Sequence, residues 1–155
     1  MKKVMFISST GGHLEQLLGL EKTMESFDSH IVTEKNRTTL DLRSKYKNVD
    51  YLPFFSRQNK WTFPFVFIGV FFQSLYIFFK VRPHVIVSTG AGCVIPMFFL
   101  GKLFGKKLIF IETFSRTDSK TITGKICYPL ADIFIVQWEE LLNLYPKATF
   151  FGSIY

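Results

Sequence analysis

Short apolar runs alternate with longer amphipathic runs along the whole of this chain. The apolar runs predict seven β-strands: Lys3–Ser8, His30–Thr33, Val49–Leu52, His84–Ser88, Lys107–Ile111, Ile133–Gln137 and Thr149–Phe151. The runs between them have helical periodicity: Leu14–Glu25, Thr38–Tyr46, Pro64–Lys80, Val94–Phe104, Thr123–Leu130 and Glu139–Leu144. Strands that alternate with helices are typical of a parallel sheet covered on both faces.

The strand at Leu108–Ile111 is apolar at every position, as expected of a strand buried on both faces. We therefore predict an α/β fold, a Rossmann-like parallel sheet with helices on both faces. A chain of 155 residues is long enough for one well-buried domain and short for two. The sequence contains no repeat or linker, so we predict a single domain over residues 1–155.

Two glycine turns follow predicted strands. Ser9–His13 follows the first strand, and Thr89–Gly92 follows the fourth. Both turns belong at the carboxyl edge of the sheet, where α/β folds bind ligands. Gly11 and Gly12 let the backbone approach a ligand, and the helix that follows offers free N–H groups. A diphosphate or a sugar oxygen is the expected ligand. The spacing of the glycines matches neither the dinucleotide fingerprint nor the phosphate-binding loop.

Three side chains at this edge could carry chemistry, and each has a plainer interpretation. His13 is either a general base acting on a hydroxyl or a capping or solvated histidine. Glu112 ends an apolar strand; it either binds a sugar hydroxyl and assists proton transfer or marks a polar exit from the core. Arg116 either neutralises a phosphate or pairs with Asp118.

The formal net charge of +7 comes from one window of the chain. Between Tyr51 and Ile111 there are seven Lys and Arg residues and no Asp or Glu, whereas twelve cations face twelve acids elsewhere. Thirteen of the 19 Phe residues lie in the same window. Basic residues mixed with large apolar ones fit an anionic membrane surface better than a nucleic acid.

The segment Trp61–Phe79 is uncharged over nineteen residues, about 28 Å of helix. It is an interfacial helix, a buried protein contact or a membrane span. We favour a membrane-associating helix over residues 61–80 that belongs to the fold, because a span would divide the sheet between two compartments. A second apolar helix, Pro96–Leu100, is expected beside it. The predicted membrane-facing residues are Trp61, Phe65, Phe72, Phe79, Lys80, Lys102 and Lys106.

The two cysteines, Cys93 and Cys127, lack the spacing of a metal or redox motif. We expect buried, reduced thiols of a cytosolic protein.

Several motifs together resemble one known family. They are Arg82–Val87 with Thr89–Gly92, Ile111–Thr113 with Ser115, Arg116, Ser119, Thr123–Lys125 and Tyr128, and Ala131–Trp138 with Tyr145–Lys147, Phe151 and Gly152. This pattern resembles the membrane-anchoring subunit of the split N-acetylglucosaminyltransferase that acts on lipid-linked chitobiose precursors. It is also similar to the amino-terminal half of the peptidoglycan-precursor N-acetylglucosaminyltransferase. The resemblance covers Ser9–Tyr155.

The resemblance implies equivalence to the N-terminal domain of a GT-B glycosyltransferase divided between two polypeptides. This chain would bind the acceptor and dock on the membrane, and a separate subunit would bind the nucleotide sugar. The family's amino-terminal anchor is missing here, which points to bacterial relatives of capsular or exopolysaccharide assembly. The implied acceptor is an undecaprenyl-diphosphate-linked saccharide at the cytoplasmic face of the plasma membrane. We expect no cofactor, no nucleic acid and, without an Asp-x-Asp motif, no metal.

The resemblance also implies roles for individual residues. His13 or Glu112 would assist deprotonation of the acceptor hydroxyl. The expected acceptor-binding residues are Gly11, Gly12, Thr89, Gly90, Gly92, Ser115, Arg116 and Lys125. The expected partner interface comprises Gln137, Trp138, Gly152 and Tyr155. Two alternatives remain: a self-sufficient, homodimeric transferase, or a membrane scaffold whose glycine turns are purely structural.

Overall fold

The seven strands form one parallel sheet in the computed structural model, which describes residues 1–54 and 63–154. The strands are β1 (Lys3–Ser8), β2 (Asp28–Glu34), β3 (Val49–Leu52), β4 (Val85–Gly90), β5 (Lys107–Ile111), β6 (Ile133–Val136) and β7 (Thr149–Phe150). Their order is β3-β2-β1-β4-β5-β6-β7, with every neighbouring pair parallel. The strand order reverses between β1 and β4, so their carboxyl ends border the crevice where such folds bind ligands.

The helices connect these strands. They are α1 (Gly12–Leu18), α2 (Glu21–Met24), α3 (Leu42–Lys45), α4 (Phe63–Val81), α5 (Ile95–Leu103) and α6 (Ile122–Cys127), with 3₁₀ segments at Gly92–Val94 and Glu139–Asn143. The single helix predicted over Leu14–Glu25 is wrong: it is interrupted at Gly19 and Leu20. Glycine is the poorest helix former after proline, and the backbone of Leu20 leaves the helical region.

The helix predicted over Thr38–Tyr46 is also shorter than expected. The Asn36 side chain accepts hydrogen bonds from the backbone N–H groups of Thr38 (2.9 Å) and Thr39 (3.1 Å). This turn competes with helix formation, so the helix begins only at Leu42.

Alternate residues of β1 enter two separate hydrophobic layers. Met5 and Ile7 pack in the layer that contains the buried residues of α4, α5 and α6, whereas Val4 and Phe6 pack with those of α1, α2 and α3. The predicted α/β sheet with helices on both faces is therefore confirmed.

Helix α4 has two apolar faces. One face is buried against the sheet and consists of Val70, Ser74, Ile77, Phe78 and Val81. The opposite face, here called the outer stripe, is exposed and consists of Phe65, Ile68, Phe72, Tyr76 and Phe79. By length and composition alone, the 18 residues Pro64–Val81 could cross a membrane. Trp61 lies outside the described residues.

Helix α5 lies beside α4, as predicted, and extends the exposed apolar surface. The ring of Phe79 meets that of Phe104, just beyond the end of α5, at 5.3 Å between centroids. Phe99 and Leu103 of α5 are also exposed. Lys102 is exposed and Lys106 is half-buried at the same end of α5.

Lys80 holds the end of α4 on the sheet. Its ammonium lies 2.8 and 2.7 Å from the two carboxylate oxygens of Asp50 on β3, and Nε2 of His30 on β2 lies 2.9 Å from the same carboxylate. Burial alone would raise the pKa of Asp50, but its hydrogen bonds with Lys80 and His30 hold that pKa below the ordinary value. Burial lowers the pKa of His30. Lys80 therefore offers less positive charge to the surface than its sequence position indicates.

Candidate functional site

A cavity of about 590 Å³ lies at the carboxyl edge of the sheet. The last residue of β2 and the segments that follow β1, β3, β4 and β5 line it, which is the edge that the strand order predicts. Both polar and apolar side chains face the cavity, among them Ser9, Thr10 and Phe54.

Two hydrogen bonds join His13 to Thr89, near the end of β4. Its Nδ1 lies 2.7 Å from the carbonyl oxygen of Thr89, and the Thr89 hydroxyl donates to the carbonyl of His13 at 2.6 Å. A carbonyl oxygen only accepts, so Nδ1 carries the proton in this contact. In the neutral ring Nε2 therefore keeps its lone pair, and His13 lines the cavity wall.

Gly90 makes room for the His13 ring. A Cβ added at Gly90 would stand 3.1 Å from both Cε1 and Nδ1 of the imidazole. Gly90 also has φ +99°, a backbone conformation that favours glycine. Both observations explain why glycine stands at this position.

Glu112 is buried and held by hydrogen bonds. Its carboxylate accepts from the backbone N–H of Thr113 (2.9 Å), the Thr121 hydroxyl (3.0 Å to each oxygen) and the Tyr145 hydroxyl (2.7 Å). Burial and this bond to Glu112 raise the pKa of Tyr145, so its hydroxyl stays protonated and donates. A Cβ at Gly124 would overlap the Glu112 carboxylate. Glu112 therefore orders the loop between β5 and α6.

Glu34 is a second buried carboxylate in the cavity wall, which the sequence analysis missed. It ends β2 and accepts hydrogen bonds from the backbone N–H (3.1 Å) and the hydroxyl (3.4 Å) of Thr10. These bonds fix the turn that precedes His13. The signal that singled out Glu112, an acid at the carboxyl end of a strand, is also present at Glu34.

Two cations stand at the loop between β5 and α6. Arg116 is exposed and donates to the Ser119 hydroxyl at 3.2 Å. The Lys120 ammonium lies 5.0 Å from the centre of the Tyr145 ring. Both side chains line the cavity, so positive charge is available there for an anionic ligand. Lys120, Thr121 and Thr123 of the polar loop Ser115–Lys125 also line the cavity, although they were not among the predicted acceptor-binding residues.

The cavity brings together most of the predicted site residues: His13, Thr89, Gly90, Gly92, Glu112, Ser115 and Arg116. Gly11, Gly12 and Lys125 are exposed and do not line it. The carbonyl of Gly11 accepts from the N–H groups of Leu14 and Glu15, so this glycine starts α1 beside the cavity.

The predicted interface residues occupy different environments. The Gln137 side chain is buried, and the half-buried Trp138 donates from Nε1 to the carbonyl of Phe114 at 2.7 Å. Gly152 is half-buried with φ +91°, and Tyr155 lies outside the described residues.

Both cysteines are buried, free thiols, as expected. Burial raises the pKa of Cys127 to about 12. Within residues 1–54 and 63–154 no group of three or more His, Cys, Asp and Glu side chains is placed to hold a metal ion.

Known proteins similar to this chain point to one family. The family described as "Oligosaccharide biosynthesis protein Alg14 like" matches residues 4–154. The "UDP-N-acetylglucosamine transferase subunit ALG14" of Kluyveromyces lactis is 42% identical over 80 residues, which cover 47% of this chain and 34% of that protein. The human protein of the same name is 25% identical, over 97% of this chain and 82% of that protein.

Solved structures share the fold at low sequence identity. MurG of Acinetobacter baumannii superposes with a TM-score of 0.72 at 15% identity, covering 90% of this chain and 43% of that one. The UDP-N-acetylglucosamine 2-epimerase of Rickettsia bellii superposes with a TM-score of 0.74 at 16% identity, covering 99% of this chain and 45% of that one. The chain thus spans less than half of each of these proteins and has the Rossmann-like N-terminal domain fold of GT-B glycosyltransferases, as predicted.

By the match of the family over residues 4–154, the chain belongs to the Alg14-like family of oligosaccharide biosynthesis proteins.

Proposed function

We propose that this chain is the acceptor-binding, membrane-docking subunit of a two-subunit glycosyltransferase. A separate subunit binds the nucleotide sugar, the enzyme needs no other cofactor, and the chain alone does not turn over. The acceptor is a saccharide linked to a polyprenyl diphosphate. The relatives are named as UDP-N-acetylglucosamine transferase subunits, which supports UDP-N-acetylglucosamine as the donor.

The observation that carries this proposal is the His13 ring at the wall of the 590 Å³ cavity. Transfer forms a bond between the acceptor oxygen and the anomeric carbon and breaks the bond to the nucleoside diphosphate, which leaves. The proton of the acceptor hydroxyl passes to Nε2 of His13. Glu112 is the less suitable base, because three hydrogen-bond donors already occupy its carboxylate.

The cavity also fits the charged part of the acceptor. Arg116 and Lys120 supply positive charge for the diphosphate, and Ser115 adds a hydroxyl beside them. The buried carboxylates of Glu34 and Glu112 hold the two loops that face each other across this space. Gly11, Gly12 and Lys125 do not line the cavity. We propose that they contact only acceptors that extend beyond the cavity and have no role with smaller ones.

The outer stripe and the exposed face of α5 provide the membrane dock. Because α4 follows β3 and precedes β4, it starts at the carboxyl edge of the sheet, where the cavity lies. An apolar surface therefore runs from the cavity side towards Lys102 and Lys106, whose charges suit anionic headgroups. The buried inner face of α4 favours an interfacial helix over a span. We propose peripheral binding at the cytoplasmic face of a plasma membrane.

The cellular role we propose is capsular or exopolysaccharide synthesis on an undecaprenyl-diphosphate carrier. A panel of nucleotide sugars and undecaprenyl-linked acceptors tests it directly.

Acceptor binding by the isolated chain tests the proposal. The chain is mixed with anionic lipid nanodiscs that hold an undecaprenyl-diphosphate-linked disaccharide, and binding is measured against nanodiscs without it. We expect the acceptor to tighten binding, and the variant Arg116→Ala to lose that gain while it still binds empty nanodiscs. Tight binding of UDP-N-acetylglucosamine by the isolated chain, with no effect of the acceptor, would refute the proposal.

A further inference from the structure

Two buried glutamines connect separate parts of the site. The Gln137 amide nitrogen donates to Oε1 of Gln16 at 2.7 Å and to the backbone carbonyl of Glu112 at 2.9 Å. Oε1 of Gln16 also accepts from the backbone N–H of Phe114 at 3.2 Å. Gln16 lies on α1, three residues after His13. The pair therefore ties the helix of His13 to the loop of Glu112.

The 152–154 segment closes the same network. The backbone N–H of Ile154 donates to Oε1 of Gln137 at 3.0 Å. The Ile154 side chain packs on α1 at Gly19, where a Cβ would stand 2.6 Å from its Cγ2. The absence of a side chain at Gly19 thus makes this contact possible. The segment reaches both the helix of His13 and the amide that holds Glu112.

We propose that Gln16 and Gln137 are positioning residues that set His13 against the 112–115 loop, and that the 152–154 segment locks them. This inference rests on the proposed function. Both hydrogens of the Gln137 amide and its oxygen are used, so rotating the amide would lose all three bonds. A buried network satisfied in this way specifies one arrangement. A partner subunit that binds residues 152–154 would then act on the reacting groups through Gln137.

The substitution Ile154→Pro removes the N–H that locks Gln137 and changes no residue that lines the cavity. The matched control Ile154→Val keeps that N–H and most of the packing at Gly19. With the partner subunit saturating, we expect Ile154→Pro to lower kcat about 3- to 10-fold with little change in the KM for the acceptor, and Ile154→Val to match the wild type. If Ile154→Pro needs more partner subunit than the wild type but reaches the wild-type kcat once the partner is saturating, the segment serves docking only and the inference is wrong.

A fluorescence measurement tests the same lock without activity. In a Trp61→Phe background Trp138 is the remaining tryptophan; its ring packs on Phe114 with centroids 4.7 Å apart. Releasing Gln137 loosens the Phe114 backbone, so Ile154→Pro should shift Trp138 emission to the red and Ile154→Val should not. Unchanged emission in the folded proline variant would overturn the inference. Failure of the wild-type complex to transfer sugar, with the red shift present, would instead refute the proposed function.

Discussion

At the scale of single residues, His13 and Glu112 are held in place by different means. His13 is clasped by backbone and side chain of Thr89 and rests against Gly90. Glu112 is buried, and its carboxylate accepts hydrogen bonds from three donors. The first arrangement leaves a ring nitrogen for chemistry, whereas the second uses the carboxylate to order a loop.

Substitutions at His13 and Gly90 test the role proposed for the His13 ring. We expect His13→Asn to lower kcat of the two-subunit enzyme by about 10²- to 10⁴-fold without loss of thermal stability, because it removes the group that we propose as the general base. Gly90→Ala should displace the ring and lower kcat about 10-fold or more. Gly105→Ala is the matched control: φ is +63° there, and nothing lies within 4 Å of the added Cβ. Equal losses of activity in the two glycine variants would contradict this account.

Most of the predicted site residues line the cavity, because strand ends and glycine turns mark a sheet edge. Sequence reasoning found His13, Thr89 and Glu112 in this way. It missed Glu34, although the same rule applies to β2, because no recognised motif surrounds it. It wrongly placed Lys125 in the site. The direction in which a residue of α6 faces depends on how Gly124 packs against Glu112.

At the scale of elements, helix α4 combines a core face and an exposed apolar face. Its length and type were predictable from an uncharged run. The attachment of α4 to the sheet through Lys80 was not predictable. The ion pair of Lys80 with Asp50 joins residues 30 positions apart and depends on the register of β3. The outer stripe and this ion pair lead to separate predictions.

The outer stripe should bind lipid. We expect the double variant Phe65→Ser/Phe72→Ser to bind anionic phosphatidylglycerol vesicles about 100-fold more weakly, because two large apolar side chains no longer enter the lipid. Leu40→Ser, at an exposed apolar residue outside α4, is the control. Vesicle flotation with circular dichroism of both variants measures the effect. Undiminished flotation of the folded double variant would exclude α4 as the dock.

The Asp50 cluster makes stability depend on pH. The lowered pKa of Asp50 means that its contribution is present above the ordinary value of 3.8 and is lost as pH falls through the lowered pKa. The lowered pKa of His30 also makes stability fall on acidification below 6.5, since the unfolded chain binds the proton more readily.

We therefore expect Asp50→Asn to reduce the free energy of unfolding by about 1–2 kcal/mol near neutral pH. The difference from the wild type should shrink once the pH falls below 3.8. Urea unfolding at several pH values measures both, with the exposed Asp118→Asn as control. A difference that stays constant across this range would show that the carboxylate charge is not the cause.

At the scale of the whole molecule, one sheet presents a cavity at its carboxyl edge and an apolar surface along α4 and α5. The chain spans less than half of MurG and of the epimerase that share its fold. Its family and its cavity together support an enzyme that is completed by a second polypeptide. That dependence is the central claim.

The most direct test is sugar transfer by purified components in anionic vesicles that carry the undecaprenyl-diphosphate-linked acceptor. Radiolabelled UDP-N-acetylglucosamine is added to this chain, to the candidate partner subunit and to both together. The account predicts labelled lipid only when both proteins are present. Transfer by this chain alone, or by the partner alone at the same rate, would contradict it.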